Sequence, residues 1–240
     1  MKWVRGPWWD GFWLLSGLPI GLALVLTSNG RGIGPIIAMT IMVLETAHVV
    51  TPIALAFVRR ELGDIVLRKP IKCVGVPLAL VAASLVAPAS WFAGPYFAWN
   101  IFHFGMQNFG VLSLYGIIGD RVKRGALCLG VTALGMGLPA LVPNQYYLMF
   151  GVGFFGFNHW LADIGLSSRV VRWHWGFIVM VLAIGVGWLL LRNGPLSAQL
   201  APQIIAFRYA IGMAHFILES EFWKFSNPRV RATIGKELFA

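Results

Sequence analysis

Residues 33–58 read IGPIIAMTIMVLETAHVVTPIALAFV, and Arg59-Arg60 follow at once. Within these 26 residues the ionisable side chains are Glu45 and His48 alone. At about 1.5 Å of rise per residue, a helix of this length reaches across a ~30 Å hydrocarbon core. The stretch therefore reads as a membrane-crossing helix with an imidazole near its middle and a basic pair closing one end. An ionisable group at that depth is costly to keep in lipid, so it points to function first.

The same arrangement recurs along the chain. His48, His103, His159 and His215 stand 55, 56 and 56 residues apart, about the length of two crossings and two short turns. One imidazole is expected in every second crossing. Alternate crossings run in the same direction, so the four rings should share a depth. His48 lies 11 residues before Arg59, His159 10 before Arg169 and His215 9 before Lys224. That is roughly 15 Å from a basic edge, the bilayer midplane. His103 follows the scheme more loosely, since the next basic residue is Arg121.

Composition agrees. Hydrophobic residues make up 58% of the 240-residue chain and charged ones 12%, which excludes an ordinary soluble domain. Apolar segments fall at 11–28, 33–58, 72–93, 96–118, 125–143, 145–167, 173–192 and 203–222. Ser28-Asn29-Gly30-Arg31-Gly32, Gly94-Pro95, Pro143-Asn144 and Arg192-Asn193-Gly194-Pro195 supply turn chemistry between them. No ten-residue alternating pattern recurs, which argues against a barrel. The expected fold is an all-α bundle of about eight transmembrane helices, one domain over residues 1–240. Lys2 and Arg5 before an apolar run resemble a signal peptide, but no small-residue cleavage site follows, so the run is read as a retained first helix.

The net charge of +10 is topological. With the N-terminus in the cytoplasm, 16 of the 19 basic residues fall in cytoplasmic connections or tails, and only Arg31, Arg192 and Arg208 fall elsewhere. Both termini are then cytoplasmic. Anionic membrane lipids are the expected partners of this charge, and nucleic acid is not. Trp3, Trp8, Trp9, Trp173, Trp175 and Trp223 fit interfacial anchors on the same side, and His174 among them reads as an interfacial residue. Cys73 and Cys128 lie in apolar stretches and offer neither a disulfide framework nor a ligand spacing.

Each midplane histidine has polar company on its own helix face. Glu45 precedes His48 by three residues; Asn100 and Gln107 flank His103; Asp163 follows His159 by four and Glu219 follows His215 by four. A ligating imidazole commonly gives its second N–H to a carboxylate, so Glu45, Asp163 and Glu219 are candidate supports, or one of them a further ligand. The structural alternative is four histidines that merely bond neighbouring helices. Imidazole donors suit iron, copper, zinc or nickel; four could also serve two haems. A shared depth does not separate these, although a midplane site suits a lipid-dissolved substrate. Trp99, Phe102, Phe104, Phe109, Phe154, Phe155, Phe157, Trp160, Phe207 and Phe216 cluster near the histidines in sequence. They would solvate an extended polyene, and ordinary helix packing explains most of them equally well.

Two further strings carry little. Gly151-Val152-Gly153-Phe154-Phe155-Gly156 matches a dinucleotide fingerprint, but it follows no strand and lies in an apolar span, so small-residue helix packing is the better account. Glu45-Thr46-Ala47-His48 echoes a di-iron motif in a single copy.

Phe102-His103-Phe104-Gly105, the early His48, and His215-Phe216-Ile217-Leu218-Glu219 together resemble the Brp/Blh family of membrane β-carotene 15,15′-dioxygenases. That resemblance implies a protein of the bacterial inner membrane with an iron held by histidines on several helices. It implies His48, His103 and His215 as iron ligands and a retinal-forming cleavage. The chain departs at Glu219, where the family pattern has a second histidine, with His159 as a possible replacement. A second resemblance, to haem A synthase, rests on histidines in the second, fourth, sixth and eighth spans and on the Glu45–His48 pair. It implies haem b; the short turns and central histidines here speak against it.

Three functions are thus expected in order. The first is a non-haem Fe(II) oxygenase with His48, His103, His159 and His215 as metal ligands, taking a lipophilic, isoprenoid small molecule. Next is a b-type haem protein for electron transfer or haem modification. Last comes a transporter, for which the outer half offers little polar lining beyond Arg208.

Overall fold

The computed structural model describes residues 6–8, 11–12, 16–28, 35–114, 120–137, 156–194, 197–224 and 227–235. Among them, all regular structure is helical. The longer helices are α1 (Gly17–Ser28), α2 (Pro35–Val58), α3 (Arg60–Leu67), α4 (Val76–Ser84, continuing a π turn at Ile71–Gly75), α5 (Ser90–Leu114), α6 (Arg121–Gly137), α7 (Asn158–Arg169), α8 (His174–Asn193) and α9 (Ser197–Phe222). Ala38–Val58, His174–Arg192 and Leu200–Phe222 are long and apolar enough to cross a membrane, and Ile71–Ser84 is a shorter apolar helix. The protein is an all-α protein with the helices of a membrane protein.

One helix boundary differs from expectation. The break between the third and fourth apolar segments falls at residues 85–89, around Pro88, and not at Gly94-Pro95. Pro95 lies inside α5, as Pro52 lies inside α2 and Pro202 inside α9. Membrane helices tolerate such prolines because neighbouring groups can satisfy the freed carbonyl. The Pro143-Asn144 turn and most of the 28–32 turn lie outside the described residues.

Large apolar side chains lie on the surface as well as in the core. Leu78, Val86, Leu127, Val179 and Leu190 are exposed, while Thr51, Asn100, Asp163, Ser167, Ser168 and Glu219 are buried. Such an apolar surface suits a lipid environment, and the buried polar groups need partners inside the protein.

The chain divides into two compact units, Met1–Ile41 with Ala98–Asp163, and Met42–Phe97 with Ile164–Ala240. In the first, α5 and α6 approach closely: a Cβ on Gly105 would lie 3.1 Å from the Leu129 Cα. Asp120 starts α6 by accepting from the Val122 and Lys123 amides at 2.9 and 3.4 Å, and the Arg124 guanidinium covers the Phe109 ring at 4.5 Å.

In the second unit α9 is the hub, packed by α3, α4 and α8. Phe92, Ala206 and Ala210 form a buried core beneath Leu80, Val81, Tyr209 and Met213. On α8, a Cβ at Gly185 would meet the Val43 carbonyl oxygen of α2 at 2.5 Å. Without a hydrophobic driving force in lipid, close backbone approach at such glycines is what gains packing energy. Gly185→Val should therefore destabilise the fold by about 1–3 kcal/mol. Gly187→Val, where a Cβ meets nothing within 4 Å, should leave the melting temperature within about a degree. Equal shifts in the two would refute this contact.

The basic connection 59–72 is ordered by pairing. Arg59 donates to the Val170 carbonyl and lies 3.2 Å from Glu61. Lys69 and Lys72 each reach the Glu221 carboxylate at 2.5 Å. These pairings tie the end of α2 to the segment after α7, and the 69–72 connection to the end of α9.

Candidate metal centre

Each unit brings two of the histidines together. In the second unit, α2 carries His48 and α9 carries His215. Their ring centroids are 4.3 Å apart at 73°, edge to face, and their exposures are 2% and 0%. Thr51, one turn after His48, turns its hydroxyl onto the Ala47 carbonyl at 2.8 Å, so it needs no other partner in an apolar setting. Glu219 lies one turn beyond His215 and its Oε2 is 3.3 Å from the His215 Nε2. This is the imidazole–carboxylate contact expected from their i, i+4 spacing.

In the first unit, α5 carries His103 and α7 carries His159. Their centroids are 4.9 Å apart at 84°. His159 is buried, with the Phe104 ring 3.9 Å away, and Asn100 and Asp163 are buried one turn from His103 and His159.

The four histidines, each offering one ring nitrogen, make a set that could hold a metal ion. The donor set fits such an ion. Neutral imidazoles can bind a dication that buried carboxylates alone would over-neutralise, and they suit iron, copper, zinc and nickel.

The carboxylates are placed differently from one another. Glu219 touches an imidazole. Asp163 is buried at 1% exposure. Glu45 forms an ion pair with Arg208 of α9, a partner the spacing along α2 could not show. Depth counting does carry that signal: Glu45 is 14 residues before Arg59 and Arg208 is 16 before Lys224, so two opposite charges share a level. Among the aromatic residues, Phe104, Phe157, Trp160 and Phe216 are buried, whereas Trp99 and Phe102 are exposed; Phe154 and Phe155 lie outside the described residues. His174 begins α8 beside exposed Trp173 and Trp175.

Also in the second unit is a cleft of about 230 Å³ lined by α2, the start of α5, α8 and α9. Glu45, Tyr96, Trp188, Phe207 and Arg208 are among its walls.

No family model matches the chain, and neither a curated protein nor a solved structure does.

Proposed function

We propose that the chain is a membrane-embedded non-haem iron oxygenase acting on a hydrophobic isoprenoid substrate, with the mode of action that its resemblance to the Brp/Blh dioxygenases implies. The observation that carries this reading is the four-histidine group. His48, His103, His159 and His215 hold the ion, and a ferrous ion bound there supplies the activation of O₂ for oxidation of a carbon–carbon double bond. Glu219 fixes the orientation of the His215 ring. Asp163 does the same from the helix turn after His159, and Glu45 stabilises the charge of Arg208 in an apolar setting. The buried aromatic rings exclude water and leave a surface against which a polyene can lie.

The haem alternative finds less support. A macrocycle held by two axial imidazoles must pass between them, and the rings of these two pairs, with centroids 4.3 and 4.9 Å apart, are too close for that; a haem on a single axial histidine would show as a Soret band. The eight-span topology, cytoplasmic termini and bacterial inner-membrane location belong to the same proposal, supported by the three long apolar helices and by the shared end of the basic connections.

Purified protein should contain near-stoichiometric iron and show no Soret band. Expression in a cell that makes carotenes and hydroxylated carotenoids should bleach its colour and yield a retinoid or related cleavage product. Folded protein without iron, or carrying haem, would overturn this reading.

A further inference from the structure

The cleft lined by Glu45 and Arg208 does not contain the histidines, yet it adjoins them along the chain. Glu45 precedes His48 by one helix turn and Arg208 precedes His215 by two. Two turns correspond to about 10 Å along α9. The rest of the lining is nearly all apolar: Val49, Val50, Ile53, Ile184, Trp188, Phe207 and Ile211 leave Thr46 and Tyr96 as the other polar side chains. An ion pair facing an apolar cleft within candidate crossing helices needs a reason, because charged groups at that depth are expensive and tend to mark substrate paths.

We infer that this cleft binds the oxygen-bearing end of a long, otherwise apolar molecule, with a neutral hydroxyl or carbonyl held by the Glu45–Arg208 pair. Size gives the first argument. Pockets that enclose a whole drug-sized ligand run to ~300–1,000 Å³, so about 230 Å³ takes one end of something longer. Charge gives the second. The pair is neutral as a unit. A carboxylate or phosphate on Arg208 would compete with Glu45 and strand a carboxylate in an apolar wall. A hydroxyl or carbonyl adds to the pair without breaking it. The guanidinium has five N–H donors, and one carboxylate cannot use all of them. The side chains of Arg208 and Glu45 remain 38% and 18% exposed, so each can be reached.

This inference rests on the proposed oxygenase only in taking the occupant as substrate. It then adds that the substrate is oxygenated at one end and that the pair sets its position along α9. Binding is measured apart from turnover, which keeps the two separable.

The full-length protein in detergent is titrated with geranylgeraniol, with the same hydrocarbon chain lacking the hydroxyl, and with geranylgeranic acid. The alcohol should bind at least tenfold more tightly than the hydrocarbon and more tightly than the acid. The double variant Glu45→Leu/Arg208→Met replaces the pair by apolar side chains of similar size, a change folds often tolerate; the alcohol preference should fall below twofold. Val50→Trp keeps the pair and fills the cleft, so it should weaken both the alcohol and the hydrocarbon at least tenfold and decides the matter even if the double variant does not fold. His174→Ala, outside both the cleft and the histidine group, should bind the alcohol as the parent does. Equal affinity for alcohol and hydrocarbon would make the cleft an unselective seat for acyl chains and overturn the inference. So would a preference that survives in the double variant, or tightest binding of the acid.

Discussion

His215→Ala should reduce bound iron from about one per chain to a trace, an affinity loss of more than ~100-fold. Losing a carboxylate that merely orients a ligand typically costs 10–100-fold in metal affinity, and removal of the ligand itself must exceed that. His215 is fully buried against His48, so water has little access to take the vacated position. Glu219→Gln keeps the shape but weakens the contact to His215 Nε2, and should fall in the 10–100-fold class. His174→Ala, at the half-buried start of α8, should leave iron content unchanged. Metal analysis of the purified variants, with circular dichroism to confirm helix content, separates these outcomes. Full iron occupancy in His215→Ala would remove this residue from the ligand set.

The second large effect is expected at the basic end of α9. Glu221 has a side chain only 2% exposed, and Lys69 and Lys72 both reach it. Removing both lysines with Lys69→Met/Lys72→Met leaves a carboxylate buried without a cation, a change that costs about 3–5 kcal/mol in comparable sites. Adding Glu221→Gln to that double variant removes the stranded charge and should recover most of the loss. Thermal unfolding in one detergent measures all three proteins. A double variant as stable as the parent would show that water already solvates Glu221. Glu221→Gln alone should be mild, because the lysine heads are 43% and 50% exposed and can hydrate.

The pair also sets a pH signature. The hydrogen bond to Glu221 holds the Lys69 ammonium above its ordinary range. A raised lysine contributes fully below its unfolded value of about 10.4 and loses the contribution as pH climbs through the folded value. Stability should therefore be flat from about pH 7 to about pH 9 and decline only above roughly 10.5, with no such alkaline step from Lys69 once Glu221 is replaced.

Much of the site could be read along the chain because it is built on helices. Intervals of 55 and 56 residues marked the four histidines as a set, and i, i+4 spacing put Glu219 beside His215. Counting could at most put groups on one level; which of them pair across helices could not be read. Arg208 takes Glu45, and Glu221 takes two lysines from a connection about 150 positions earlier. The break at 85–89 was also hidden, since Gly94-Pro95 offered stronger turn chemistry. Helix α5 absorbs that proline because local turn preference is weak beside the packing of Phe92 on Ala206 and Ala210.

The sequence by itself determined that the chain is helical and membrane-like, because hydropathy and helical rise act on neighbours in order. Tertiary structure decided which polar side chains touch: His48 with His215, His103 with His159, and Glu45 with Arg208. Spacing along the chain is a one-dimensional property that counting recovers. The rotation of each helix and its choice of neighbour depend on close packing at positions such as Gly185 and Gly105, and those contacts exist only once the chain has folded.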